Sequence, residues 1–251
     1  MKGSSNSNPS FSPRQVAIVA ALCAIVLAFR VGAWLRPSEF VVIPPSFALP
    51  LNALGVLYMA CGVWAWLSRP SHLTRIFLIT ALGGGIHWGG SIAAGNAQLE
   101  IAFLAFYIAV TAIGDGAFLD FALRYADTSP RRGFRAWGLY VLGLVTFIAI
   151  PITPFLPSTT IEALLGAIIM LAFAMSIIGG VVFIVKWFRA SGETRRELFL
   201  SPIVAALVLS TAVDLVAEQG ILPGPAEAWT LGYALVPVTM ALALTRLRPA
   251  S

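Results

Sequence analysis

The sequence predicts an all-α membrane protein: a polytopic bundle of about eight transmembrane helices with both chain ends in the cytoplasm. Three observations predict it. The 251 residues are 59% hydrophobic and only 11% charged, whereas a soluble domain carries about 25% charged residues and needs them to meet water. Apolar stretches close to the ~20 residues that cross about 30 Å of hydrocarbon recur along the whole chain. The lysines and arginines fall almost entirely on alternate connections between those stretches.

Residues 1–15 are polar and serine-rich, and are expected to form a disordered cytoplasmic tail. The first apolar run, 16–35, exceeds the 7–15 residues of a signal-peptide core, so it is expected to be a retained helix. Seven further runs follow at 50–68, 76–95, 99–123, 136–156, 161–186, 199–219 and 228–246. Proline, glycine and charge separate them, as in Ser68-Arg69-Pro70-Ser71-His72 and Leu222-Pro223-Gly224-Pro225. The weakest divider is Gly95-Asn96-Ala97-Gln98. All of 16–248 reads as one transmembrane domain.

With the N-terminus inside, 14 of the 16 basic residues lie on the inner side; only Arg30 and Arg36 lie outside. Seven spans would scramble this alternation. The same bias accounts for the net charge of +5 without nucleic acid, for which no basic stripe or aromatic platform exists. Trp34, Trp64, Trp66, Trp137, Trp187 and Trp229 sit near the ends of the runs, at the depth that indole rings favour.

The informative side chains are ionisable groups within the spans, each costing about 2.5–3.5 kcal/mol at a helix centre. Asp115 belongs to the fourth span, roughly 8–12 Å from the inner face at 1.5 Å per residue. Asp214 belongs to the seventh, at a comparable depth from the outer face, and follows Ser210 and Thr211. His87 falls near the middle of the third, and Glu218 and Arg30 near the outer ends of the seventh and first. Asp115, Asp214 and His87 therefore lie at different depths and cannot share one metal ion. They suit a proton or cation path, or else packing through bonds to neighbouring hydroxyls. Arg30 is expected to snorkel outward or to pair with Glu218, and Asp120 to pair with Arg124 four residues on. Gly85 and Gly89 have the small-xxx-small spacing that lets another backbone approach.

No cofactor is implied. The spans hold no buried lysine for a retinal Schiff base. Paired intramembrane histidines for haem are missing too, since His72 lies in a connection. Metalloprotease, Walker and nucleophile-elbow motifs do not occur. Cys23 and Cys61 lie within apolar runs and suggest neither a disulfide framework nor a metal site.

The end of the fourth span reads Phe118-Leu119-Asp120-Phe121-Ala122-Leu123-Arg124-Tyr125. It resembles a Phe-Leu-x-Phe-Ala-Leu run in the multi-helix membrane sensor regions of bacterial histidine kinases, over roughly the first five spans. The connection between Arg69-Pro70 and Arg75 follows the same plan. The chain reaches Ser251 without a kinase domain. The resemblance thus implies a sensor-like module in the bacterial cytoplasmic membrane, acting through a membrane protein partner or as a homo-oligomer. It maps no ligand residues. A small transporter or channel component using the buried carboxylates is the second expectation. A lipid-modifying enzyme built on Asp120, Arg124 and Asp127 is the third.

Overall fold

The computed structural model describes residues 11–38, 45–125, 137–192, 195 and 234–246, and among them every regular element is helical. The elements are α1 (Pro13–Leu35), α2 (Pro45–Ser68), α3 (His72–His87), α4 (Ala97–Arg124), α5 (Trp137–Ala149), a 3-10 segment (Ile150–Phe155), α6 (Ser158–Arg189) and α7 (Leu235–Arg246). The 199–219 run lies outside the described residues, as does the start of the 228–246 run. Four helices are long and apolar enough to cross a membrane, within α1, α2, α4 and α6. The chain is therefore a helical, multi-pass membrane protein by its architecture.

Caps explain where the helices begin. Ser12 accepts from the Gln15 amide while the Gln15 side chain accepts from the Ser12 amide, a reciprocal capping box with Pro13 in the first turn. The helix thus starts inside the stretch expected to be disordered, at Pro13, because a capped polar turn costs little. Ser71 and Thr74 form the same arrangement at α3. The weak divider before α4 contains its cap: Asn96 accepts from the amides of Gln98 and Leu99. The expected 136–156 helix is interrupted because Pro151 enters at the start of the 3-10 segment and cannot donate to an α-helical bond.

The third span differs most from expectation. It is helical only to His87, 16 residues or about 24 Å. The chain then turns through Gly90 at φ 72° and Gly95 at φ 67°. It runs alongside the end of α1, where Ser38 donates to the Ser91 carbonyl and Ala93 to the Arg36 carbonyl. One end of the bundle, the far end, therefore gathers the last turns of α1 and α3 and the first turns of α2 and α4. The opposite, near end gathers the start of α3 and the last turns of α4 and α6.

The fourth helix is central. In its most apolar window 61% of residues are buried, against 22% for α1 and 28% for α6. It packs on α3, α5 and α6. Backbones approach closely on two sides: a Cβ on Gly83 of α3 would stand 2.5 Å from the Gly114 Cα, and one on Gly116 would collide with the Leu139 carbonyl oxygen of α5. The outer helices leave Ile25, Val31, Leu35, Ile148 and Met170 exposed, as a surface solvated by lipid tails requires.

Candidate functional site

Polar groups within the described bundle gather in three places: the far end, one face of α4, and the near end. At the far end the question is where the last carbonyls of α3 find donors, since a helix leaves its last four without intrahelical partners and hydrocarbon offers no water. All four are satisfied. Gly84 O accepts from the Trp88 amide and Ile86 O from the Gly89 amide. Gly85 O accepts from the Arg30 guanidinium, and His87 O from the Tyr107 hydroxyl at 3.2 Å. Arg30 also donates to the carbonyls of Leu51 and Asn52 and, at 2.9 Å, to Asn52 Oδ1. Asn52 is itself held by a bond from its amide to Ala48 O.

This overturns the expectation that Arg30 snorkels. It is 3% exposed, because acceptors from α2 and α3 surround its head and the negative end of the α3 dipole faces it. Glu218, its other expected partner, lies outside the described residues. The glycine pair also differs from expectation. Gly89 lies in the turn beyond α3, where a Cβ would meet the Arg30 side chain at 3.1 Å. On Gly85 a Cβ would meet Met59 and Val26 side chains. Neither admits a neighbouring backbone. Gly89 instead makes room for Arg30, as does Gly55, whose Cβ would collide with the guanidinium. On α3 the backbone-to-backbone contact belongs to Gly83, against Gly114 of α4.

His87 is the last residue of α3 and not a mid-span group, a displacement that follows from the early end of the helix. Its ring lies nearly parallel to that of Tyr107, with centroids 6.3 Å apart, and edge-on to Trp88. Its Nδ1 is buried and has no hydrogen-bond partner among the described residues.

Tyr107 begins a polar line along α4. Thr111 and Asp115 follow at four-residue intervals, so the three share one face over about 12 Å. Asp115 accepts from Ser176 of α6 at 2.7 Å. Thr111 is 4% exposed, and its hydroxyl has no hydrogen-bond partner among the described residues. That is unusual within this molecule. Thr80, Thr146, Thr239 and Thr245 each donate to the carbonyl four residues back, at 2.8–3.2 Å.

At the near end the local ion pair takes the expected form. Arg124 donates to Asp120, which also accepts from Tyr140 of α5 at 3.1 Å. Asp120 is 2% exposed with both oxygens engaged, which leaves no carboxylate oxygen unbonded for acid–base chemistry; Asp127 lies outside the described residues. Lys186 of α6 donates to the carbonyls of Leu123 and Tyr125 at 2.6 and 3.0 Å and so caps the end of α4. Phe118, Phe121 and Tyr125 pack around Phe183, and Phe121 also meets Phe77.

No family model, characterised protein or solved structure matches the chain. The site must therefore be read from its own chemistry. Asp115 and His87 are not brought together: His87 meets Tyr107 between α3 and α4, and Asp115 meets Ser176 between α4 and α6. Asp214 lies outside the described residues. Among the described residues no three His, Cys, Asp or Glu side chains could hold a metal ion. Sequence reasoning missed Asn52, Tyr107, Tyr140, Ser176 and Lys186 as partners. It drew nothing from Thr111, although the i,i+4 spacing from Asp115 was an available signal.

Proposed function

We propose that the chain is a sensor-like, partner-binding membrane module of about eight spans, with both ends on the cytoplasmic side of a bacterial inner membrane. In this reading the near end faces the cytoplasm and the far end the exterior. The observation that carries the reading is the environment of the 118–125 run, the segment that resembles sensor regions. Its aromatic side chains and terminal carbonyls join α3, α4 and α6, and Asp120 ties in α5. A shift of any of these helices would be felt at the cytoplasmic end of α4, where a partner could read it. The 14-to-2 basic split supports the orientation.

A second reading has one specific observation in its favour. Asp115 lies about 14 Å from the end of α4, deep in the hydrocarbon. Its hydrogen-bond partner is a hydroxyl and not a cation, as suits a transport path.

Site-specific photo-crosslinking in native membranes separates the two. A crosslinker in place of Arg189, at the near end, should trap one protein carrying a cytoplasmic signalling domain. One in place of lipid-facing Ile148 should not. Equal labelling from both positions, with cation flux through partner-free protein in proteoliposomes, would favour transport instead.

A further inference from the structure

We infer that Asp115, Thr111 and Ser176 form a binding site for a small monovalent cation, with Na+ the probe that tests it. The inference goes beyond the sensor-like reading and does not depend on whether a partner exists.

The argument begins with charge. A carboxylate at this depth in hydrocarbon must be balanced, because an isolated buried charge is prohibitively expensive. Asp115 has Ser176 as its hydrogen-bond partner, and the one ion pair among the described residues joins Asp120 to Arg124. No described side chain therefore supplies a positive charge to Asp115. A single carboxylate balances a single positive charge. A divalent ion would leave an excess in the membrane, and among the described residues Asp115 belongs to no group of three His, Cys, Asp or Glu side chains that could hold one.

The second observation is independent of the carboxylate. Thr111 lies one helical turn from Asp115 on the same face, which puts the two Cβ atoms about 5–6 Å apart. Its buried hydroxyl forgoes the back-bond that four other helical threonines make. An oxygen turned away from the available carbonyl needs another partner. Ser176 donates its proton to Asp115, so its lone pairs remain able to accept. One carboxylate and two hydroxyl oxygens are a set of hard donors, the kind that hard cations take.

The test is thermal unfolding of the full chain in nanodiscs, in sodium chloride against choline chloride at equal ionic strength. Sodium should raise the wild-type midpoint by about 3–6 °C, as expected of a ligand near ten times its Kd. Asp115→Asn should abolish the increment. Thr111→Val and Ser176→Ala should each at least halve it. Thr111→Val keeps the shape of the side chain and so keeps the test decisive even where Asp115→Asn fails to fold. A wild-type midpoint indifferent to sodium overturns the inference, whether it responds to pH alone (a proton balances Asp115) or to neither. An increment undiminished in Asp115→Asn or Thr111→Val overturns it as well.

Discussion

Replacing Arg30 with leucine should destabilise the protein by about 3 kcal/mol, even though it removes a charge from the hydrocarbon. The magnitude follows from what is left behind. Gly85 O loses the donor that satisfies it, and no intrahelical amide replaces it, because the Gly89 amide is already given to Ile86 O. Asn52 Oδ1 loses its bond from Arg30 as well. Each orphaned acceptor costs about 1–3 kcal/mol. The carbonyls of Leu51 and Asn52 lie inside α2 and keep their helical amides. Removing the guanidinium relieves part of its desolvation, which is why the sum stays near the middle of the range. A loss of this size lowers the midpoint of a chain of this length by about 6–12 °C. Arg30→Lys keeps the charge but lacks the planar fork, so it should fall between leucine and wild type. The assay is thermal unfolding in detergent or nanodiscs, with Asn52→Ala tested in both backgrounds. The Asn52 effect should shrink by about 0.5–3 kcal/mol once Arg30 is absent. An unchanged or raised midpoint for Arg30→Leu would refute the idea that this residue staples α1, α2 and α3.

Other consequences follow from the same contacts. Gly83→Ala should cost about 1–3 kcal/mol by forcing α3 from α4, while Gly85→Ala should cost less because it meets movable side chains; equal midpoints for the two would contradict the assignment of the close approach. Lys186→Met should leave the Leu123 and Tyr125 carbonyls without their cap and speed hydrogen exchange in the last turn of α4, with exchange in the first turn unchanged. A reporter fused after Ser251 or placed in the 131–135 connection should read cytoplasmic, and one near Pro223 external; an external C-terminus would mean that the spans are miscounted.

The sequence makes the long helices legible and hides their connections. The runs at 16–35, 99–123 and 161–186 match α1, α4 and α6 to within three residues at each end. At the starts of α1 and α4 the differences come from first-turn residues that follow the polar caps Ser12 and Asn96, such as Pro13 and Ala97, which an apolar pattern does not count. The third span was misread because Trp88, Gly89, Gly90, Ile92 and Ala93 are as apolar as a helix, although the chain there is irregular. What ends α3 is partly a guanidinium 55 positions earlier, and no local pattern contains it. Arg30 was misjudged for the same reason: snorkelling is the sound default for an arginine near a helix end, and only folding brings Asn52 and Gly85 to it. The Asp120–Arg124 pair was readable because both partners share one helix. Ser176 was not, because its partner Asp115 is 61 residues away.

The most direct test of the functional reading is the mass of the particle released from its native membrane, measured by native mass spectrometry. The reading predicts this chain in fixed ratio with a second protein that carries a cytoplasmic signalling domain. A particle containing this chain alone would contradict it.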